Sequence, residues 1–517
     1  MGIIEINNFS QNFGDKILFD DTSFVLNPNE KIGLTGVNGA GKSTLLKIIM
    51  GEVLLDKGTF YKNPRYRVEY LDQHAEVKGE HTIKQYLSGA FKYLFDAEEK
   101  LNQINEQLAV ETNDAKLEKL LNQSGDLFEY LTTNNFYAID SEIEKIAAGL
   151  GINAFGLNTK VNTLSGGQRA KVMLAKLLLE SPDVMVLDEP TNFLDVNHIE
   201  WLTKFINTSD RAFIIVSHDT QFLNNVVTHI CDVDNNKINK YVGNYDKCMA
   251  TKEAKRIQHE KNYEQQQREI KKMEDYIARN KARAATAGMA HSREKMLNKL
   301  DIIAPPSEQI KPTFSFKCKE FAGNLVLKVD NLVVGYNGKP LLKPISFEVE
   351  NKDRVAITGF NGIGKSTLLK TIIGEIEKIS GSSTISKNIV VGYYEQENDF
   401  HLFEGTPLNY VSNMFPKLNE KDVRTALSKC GLNSVHVRKQ IKQLSGGEQS
   451  KIKICTLILK PCNLLILDEP TNHLDVFAID RLQQAIAEFD GTVIFVSHSK
   501  EFVRDVATKV ISLESLS

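Results

Sequence analysis

Cysteine is scarce and scattered: six residues, Cys231, Cys248, Cys318, Cys430, Cys455 and Cys462, with no Cys-x-x-Cys and no histidines at zinc spacing. That argues against a zinc or iron-sulfur framework and makes free thiols in a reducing compartment the expectation. Long apolar runs are lacking as well, none reaching the roughly 18 to 20 residues that span a bilayer. The stretch Met1 to Ser10 has no basic region followed by an apolar core and a small-residue cleavage site, so a cytoplasmic protein is expected. Net charge is only -3; any contact with nucleic acid must therefore come from a local patch, and DNA binding is not expected.

What is present is a repeat. The 517 residues, 42% hydrophobic and 25% charged, suffice for several compact units with sizeable cores. GVNGAGKST from Gly36 to Thr44 returns as GFNGIGKST from Gly359 to Thr367. LSGGQ from Leu164 to Gln168 returns as LSGGE from Leu444 to Glu448, and VLDEPTNFLD from Val186 to Asp195 as ILDEPTNHLD from Ile466 to Asp475. VSHD and VSHS, ending at Asp219 and Ser499, complete the two copies. A duplicated set of this kind decides the architecture before any single segment does.

The spacing between copies locates an insertion. Lys42 and Lys365, like Gln73 and Gln396, lie 323 positions apart, whereas Ser165 and Ser445, like His218 and His498, lie 280 apart. The first copy therefore holds 43 extra residues between Gln73 and Ser165. There Leu94, Ala97, Leu101, Ile104 and Leu108 form a helical seam, and Asn113 or Thr112 caps a second helix carrying Leu117, Leu120 and Leu121. A mostly acidic helical arm at about residues 90–140 is expected, either a solvated pair or a docking arm. A second interruption, rich in Lys, Arg, Glu and Gln, reads as two long helices, the first from about Lys252 to Ala282, the second capped near Ser292 and fading before Pro305. The expected units are residues 1–245, a linker at 246–321, and residues 322–517.

Gly36 to Ser43 fits G-x-x-x-x-G-K-[ST] between an apolar strand and a helix, the context this motif requires. Backbone N–H groups of Gly36, Asn38, Gly39, Gly41 and Thr44 converge on phosphate oxygens, Lys42 points a charge toward the outer phosphates, and Ser43 offers a hydroxyl to Mg2+. Gly359, Asn361, Gly362, Gly364, Lys365, Ser366 and Thr367 repeat the arrangement. Four apolar residues precede Asp188–Glu189 and Asp468–Glu469, as in buried parallel strands that end at a ligand. Asp188 and Asp468 are expected to hold Mg2+, and Glu189 and Glu469 to act as general bases on water.

The LSGGQ-type motif beside these P-loops resembles that of ATP-binding-cassette proteins, and the resemblance covers nearly all of the chain. It implies an α/β fold of two tandem cassette ATPase domains joined by a long helical hairpin, with ATP and Mg2+ as cofactors. It also implies that Ser165, Gly166 and Gly167 cap the nucleotide on Lys365, and that Ser445, Gly446 and Gly447 cap the one on Lys42. Physical logic agrees, because a serine and two glycines opening a helix form a phosphate-binding N-terminus out of reach of their own P-loop. Gln73 and Gln396 match the family's magnesium- and water-sensing glutamines. His218 and His498 match its switch histidines, and Phe13 and Tyr336 stand where it stacks adenine. Phe193 against His473 is the one obvious asymmetry.

Two cassettes in one chain around a charged helical linker resemble the F subfamily (ABC-F), ribosome-associated ATPases of translation. From Arg279 to Lys299 six cations, among them Arg279, Lys281, Arg283, Arg293 and Lys295, face one acid, Glu294, which suits RNA phosphates. In relatives this linker touches tRNA in the P site; the implied partners are rRNA and that tRNA, the implied state a monomer whose halves pair internally. A tip of ordinary length favours a general translation factor over a drug-protection protein. An exporter's ATPase subunit, with membrane partners on other chains, is the alternative from a different class.

Overall fold

The computed structural model describes the chain except residues 1, 15, 38, 72–79, 281–286, 301–302, 304–311, 337, 361, 396–399, 401–402, 473, 498 and 515–517. Several expected site residues, Asn38, Gln73, Lys281, Arg283, Asn361, Gln396 and His498, and with them His473, lie outside the described residues.

Each half is an α/β unit around a mainly parallel sheet. In the first, six strands run in the order Val68–Leu71, Val184–Asp188, Ala212–Val216, Lys31–Gly36, His229–Asp234 and Lys237–Val242, the last alone antiparallel. In the second, five parallel strands run Val391–Tyr394, Leu464–Asp468, Thr492–Val496, Arg354–Thr358 and Lys509–Ser512. Val184 to Leu187 and Leu464 to Leu467 are fully buried, which is why these strands read as unbroken apolar runs. Each half adds a three-stranded antiparallel sheet that includes Ile4–Phe13 or Leu325–Val333.

Register fixes the position of the site. Leu34 and Asp188 both pair with Val216, so the end of the glycine-loop strand, the acid and the segment leading to His218 meet at one carboxyl edge. Ile357 and Asp468 pair with Val496 in the same way. In open parallel sheets ligands bind outside that edge.

The insertion is the expected hairpin, Lys92–Leu108 against Asp114–Thr133. Leu94, Ala97 and Leu101 are buried along its seam, and Asn113 accepts from the Lys116 N–H as the cap. Leu121 faces solvent; the second helix turns Leu117, Leu120 and Leu127 inward.

The linker departs from expectation at both ends. Its first helix, Tyr245–Asn280, has 36 residues and grows directly from the last strand of the first half. Only Cys248 in it is buried, and surface pairs such as Arg256–Glu260 and Arg268–Glu264 run along it at helical spacing. The second helix spans Ala287–Leu297, with Ser292 inside it instead of capping it. Ala287, Met289 and Ala290 favour helix before Ser292, but Gly288 and His291 do not, so propensity alone does not account for the earlier start. Beyond it, Phe314 and Phe316 are buried in the second half, where Phe316 meets Phe489 edge-on at 6.1 Å.

Leu465 is wholly buried beside the second acid. Leu465→Ala should cost about 2 to 5 kcal/mol through lost burial and a residual cavity. An unchanged denaturant midpoint for the second half would contradict this placement.

Candidate active sites at the sheet edges

Local backbone geometry builds the phosphate cradles. Gly36 has φ 143°, and a Cβ there would sit 2.6 Å from the Val233 carbonyl oxygen, so only glycine lets the loop leave its strand this close to the next one. Helices Lys42–Met50 and Lys365–Ile373 follow, aiming their N-terminal N–H groups back at the loop. The Lys42 ammonium donates to the carbonyls of Gly36 (2.7 Å) and Val37 (3.3 Å); Lys365 donates to Gly359 (2.9 Å) and Phe360 (3.2 Å). Burial lowers both ammonium pKa values, with Glu189 and Glu469 respectively the strongest opposing charges.

The acids stand one residue beyond the sheet. Glu189 (φ 48°) and Glu469 (φ 52°) are both left-handed, a conformation that costs a non-glycine residue about 1 kcal/mol or more. Each is held by its N–H donating across to the neighbouring strand, to Val216 at 2.8 Å and Val496 at 3.1 Å. The same unfavoured backbone thus recurs at the equivalent residue in both halves. Burial and the Asp188 carboxylate push the Glu189 carboxyl up to about 8. His218 closes on it, with Nε2 at 3.4 Å from one oxygen and its N–H donating to the other at 3.3 Å.

The donor chemistry fits Mg2+. Burial pushes the Asp468 carboxyl up to about 6 even though Ser366 hydrogen-bonds it, so a cation there would relieve a confined charge. Hard oxygen donors from one serine and one aspartate per half suit an ion that completes its shell with phosphates and water. Among the described residues no group of three or more His, Cys, Asp or Glu forms a self-sufficient metal site. In the first half Tyr70 donates to Asp188 at 3.3 Å.

The two halves meet head to tail at these edges. A cavity beside Gly36, Val37 and Lys42 is lined from across by Asp475, Val476 and Phe477, and one beside Gly359 and Phe360 by Asp195, Val196 and Asn197. The Asp475 charge acts on Lys42 and His218, and that of Asp195 on Lys365. Lys500 pairs with Glu200 at 3.1 Å across the interface. Both aspartates sit inside the repeated LDEPTNxLD string, yet the sequence pattern did not single them out. Their duplication was the available signal, and their reach across the interface is a property of packing.

Ser165 and Ser445 cap helices Gly166–Glu180 and Gly446–Leu459 in reciprocal boxes with Gln168 and Glu448. Neither serine lines the two cavities just described. Phe193 packs on the turn, its ring 3.1 Å from where a Cβ of Gly167 would lie, which ties the acid loop to the signature helix of its own half. Phe13 and Tyr336 are 76% and 53% exposed, and the Thr367 hydroxyl donates to that of Tyr336 at 3.4 Å. In the linker, Arg279, Arg293 and Lys295 are exposed. Arg293 does not stand free there, because its guanidinium stacks on the Tyr276 ring at 3.8 Å and joins the two helices.

Known proteins bear on this geometry. The family profile described as "ABC transporter" matches residues 19–192 and 342–472, and a second profile with the same description matches residues 231–316. The chain is 43% identical over 515 residues to "Uncharacterized ABC transporter ATP-binding protein YfmM" of Bacillus subtilis (strain 168), covering 100% of this chain and 99% of that one. It is 32% identical to "ABC transporter F family member 5" of Arabidopsis thaliana, covering 99% and 75%. Among solved structures, archaeal ribosome recycling factor aABCE1 in complex with a ribosomal stalk protein superposes with TM-score 0.62 at 18% identity, covering 98% of this chain and 87% of that one. That last likeness concerns the fold.

Lys451 and Asp475 form a buried pair at 2.9 Å, with side chains 10% and 8% exposed. Burial alone would raise the Asp475 carboxyl, but Lys451 and the Ala478 N–H hold it below its ordinary value. Its stabilising contribution is therefore present above the unfolded carboxylate range and lost as pH falls through the depressed folded value. Lys451→Met strands that charge and should destabilise by about 3 to 5 kcal/mol at neutral pH. In urea titrations the penalty should shrink below about pH 4, where aspartate takes up its proton; a pH-independent penalty would refute the pairing.

Proposed function

Since the chain belongs to the ABC transporter family of ATP-binding proteins, we propose that it is an F-subfamily ATPase that binds two ATP molecules between its halves and acts on ribosomes during translation. The observation that carries the ATPase part is the head-to-tail pairing, in which each glycine loop faces the loop after the catalytic acid of the other half. ATP on Lys42 and Ser43 is completed by Ser445, Gly446 and Gly447 when the halves close, and ATP on Lys365 and Ser366 by Ser165, Gly166 and Gly167. Phe13 and Tyr336 stack the bases.

Ser43 with Asp188, and Ser366 with Asp468, would hold Mg2+, and Gln73 and Gln396 would contribute to the same sites. The ion supplies charge neutralisation on the phosphates. Glu189 and Glu469 orient the attacking water and draw its proton, and His218 and His498 hold the γ-phosphate side of the pocket. The left-handed backbone at both glutamates recurs at the sheet edge, and His218 already holds the Glu189 carboxyl there, which supports a site organised before substrate arrives.

The translational part rests on the linker. An F-family relative aligns with 99% of this chain, and Arg279, Arg293 and Lys295 are exposed on the two linker helices, with Lys281 and Arg283 between them in the sequence. Such a run of cations suits RNA phosphates, and P-site tRNA and rRNA are the proposed contacts. No described helix is long and apolar enough to cross a membrane, so export would require other chains. The protein is proposed to work in the cytoplasm as a monomer.

Lys42→Ala with Lys365→Ala should abolish phosphate release from ATP, since each site loses its phosphate-facing charge; wild-type turnover would contradict the assignment. Glu189→Gln with Glu469→Gln should trap the closed form and co-sediment with ribosomes in ATP. Replacing Arg279, Lys281, Arg283, Arg293 and Lys295 by glutamine in that trapped chain should weaken sedimentation and make it less salt-sensitive, and the same replacements in the chain with both glutamates intact should leave basal hydrolysis unchanged. A trapped protein that ignores ribosomes and partitions with membranes would favour the exporter instead.

A further inference from the structure

The first linker helix leaves the first half beside its glycine loop, and one buried carboxylate joins them. Asp232, 2% exposed on strand His229–Asp234, pairs in register with Thr35, the residue before the first loop glycine. Its two oxygens accept from opposite sides, Oδ1 from the Thr35 hydroxyl at 3.1 Å and Oδ2 from the Lys252 ammonium at 2.6 Å. Lys252 also reaches Asp234 at 3.0 Å. Burial alone would lower this ammonium's pKa, but the two carboxylates hold it above its ordinary value, so it stays charged. The next register pair, Gly36 with Val233, is the close approach that only glycine permits.

The junction opens on the first site. One cavity is lined by Lys42 of the loop, by Tyr245, Met249 and Lys252 of the linker, and by Asp475 and Phe477 of the second half. The second site is built differently. Thr358 pairs with neutral Ser512 where Thr35 pairs with Asp232, and among the described residues the cavity at Gly359 is lined by Glu514 and by no linker residue. Among the described residues the linker helix thus has a charged hold on the first glycine loop and none on the second.

We propose that Lys252 is a positioning residue through which the seating of the linker's first helix sets the shape of the Gly36–Lys42 loop, so that the first nucleotide site responds to the linker and the second does not. Coupling of this kind is reciprocal: whatever draws the linker helix off Asp232 weakens nucleotide binding at Lys42, and nucleotide at Lys42 seats the linker by the same factor. The proposal rests on the ATP reading of the two sites.

The test uses full-length chains with one site disabled, titrated calorimetrically with a non-hydrolysable ATP analogue and Mg2+. In the Lys365→Ala background, where only the first site binds, Lys252→Met should raise Kd at least about fivefold, the lower end of usual coupling strengths. Lys252→Arg should restore Kd to within about twofold. Asp232→Asn, an isosteric change that removes the charge, should act like Lys252→Met and provides a second variant should that one fold poorly. In the Lys42→Ala background the same substitutions should leave Kd unchanged. Equal weakening in both backgrounds, or none in either, overturns the coupling while leaving the ATP reading intact. Absence of binding by the Lys365→Ala parent itself overturns both.

Discussion

Everything here depends on keeping unlike charges buried together at the end of a parallel sheet. Asp188 and Glu189 are consecutive, as are Asp468 and Glu469, and burial raises the proton affinity of Glu189 and Asp468 while lowering that of the facing lysines. Such an arrangement is tense by itself, since neither sign is fully matched within one half. Its natural complement is a polyanion with a divalent cation, which brings negative charge to the lysine and positive charge to the aspartate. Aspartates from the opposite half enter the same field, so pairing of the halves and occupancy of the sites are electrostatically one problem.

Most of this could be read from the chain before any coordinates. Four duplicated strings revealed two copies of one fold, and the unequal spacing of those strings exposed the arm with its seam at Leu94, Ala97 and Leu101. The P-loops, acids and His218 were legible as candidates because each belongs to a short string of residues adjacent in sequence on one strand, turn or helix. What escaped notice involves distant partners. Asp195 and Asp475 lay in plain sight within a repeated motif, but their target is the other half. Lys252 looked like one cation among many in a charged helix until folding brought Asp232 to it. Arg293 counted toward an RNA-binding cluster, and no periodicity indicates that Tyr276 would sit beneath it. Ser292 resembled a cap because serine favours that position, whereas the helix starts earlier, at Ala287.

The two halves are similar but not interchangeable. Asp195 is engaged by His198 at 2.7 Å, whereas its counterpart Asp475 is engaged by Lys451, and position 198 corresponds to Ala478 in the second half. One loop therefore adds a histidine on its own helix to the charge of the signature-helix Lys171, whereas in the other the equivalent Lys451 pairs directly with the aspartate. Asp232 opposite Thr35 and Ser512 opposite Thr358 extend the difference to the loops themselves. A duplicated sequence has been made directional by a few substitutions at equivalent places.

The length of the first linker helix converts this directionality into mechanics. Thirty-six residues of continuous α-helix extend for about 54 Å, and a rod of that length pivoting by a few degrees at Tyr245 sweeps its far end through several ångströms. Loop adjustments too small to disturb the sheet would thus be magnified into shifts of several ångströms at the far end, and a push there would return to the foot of the helix as torque.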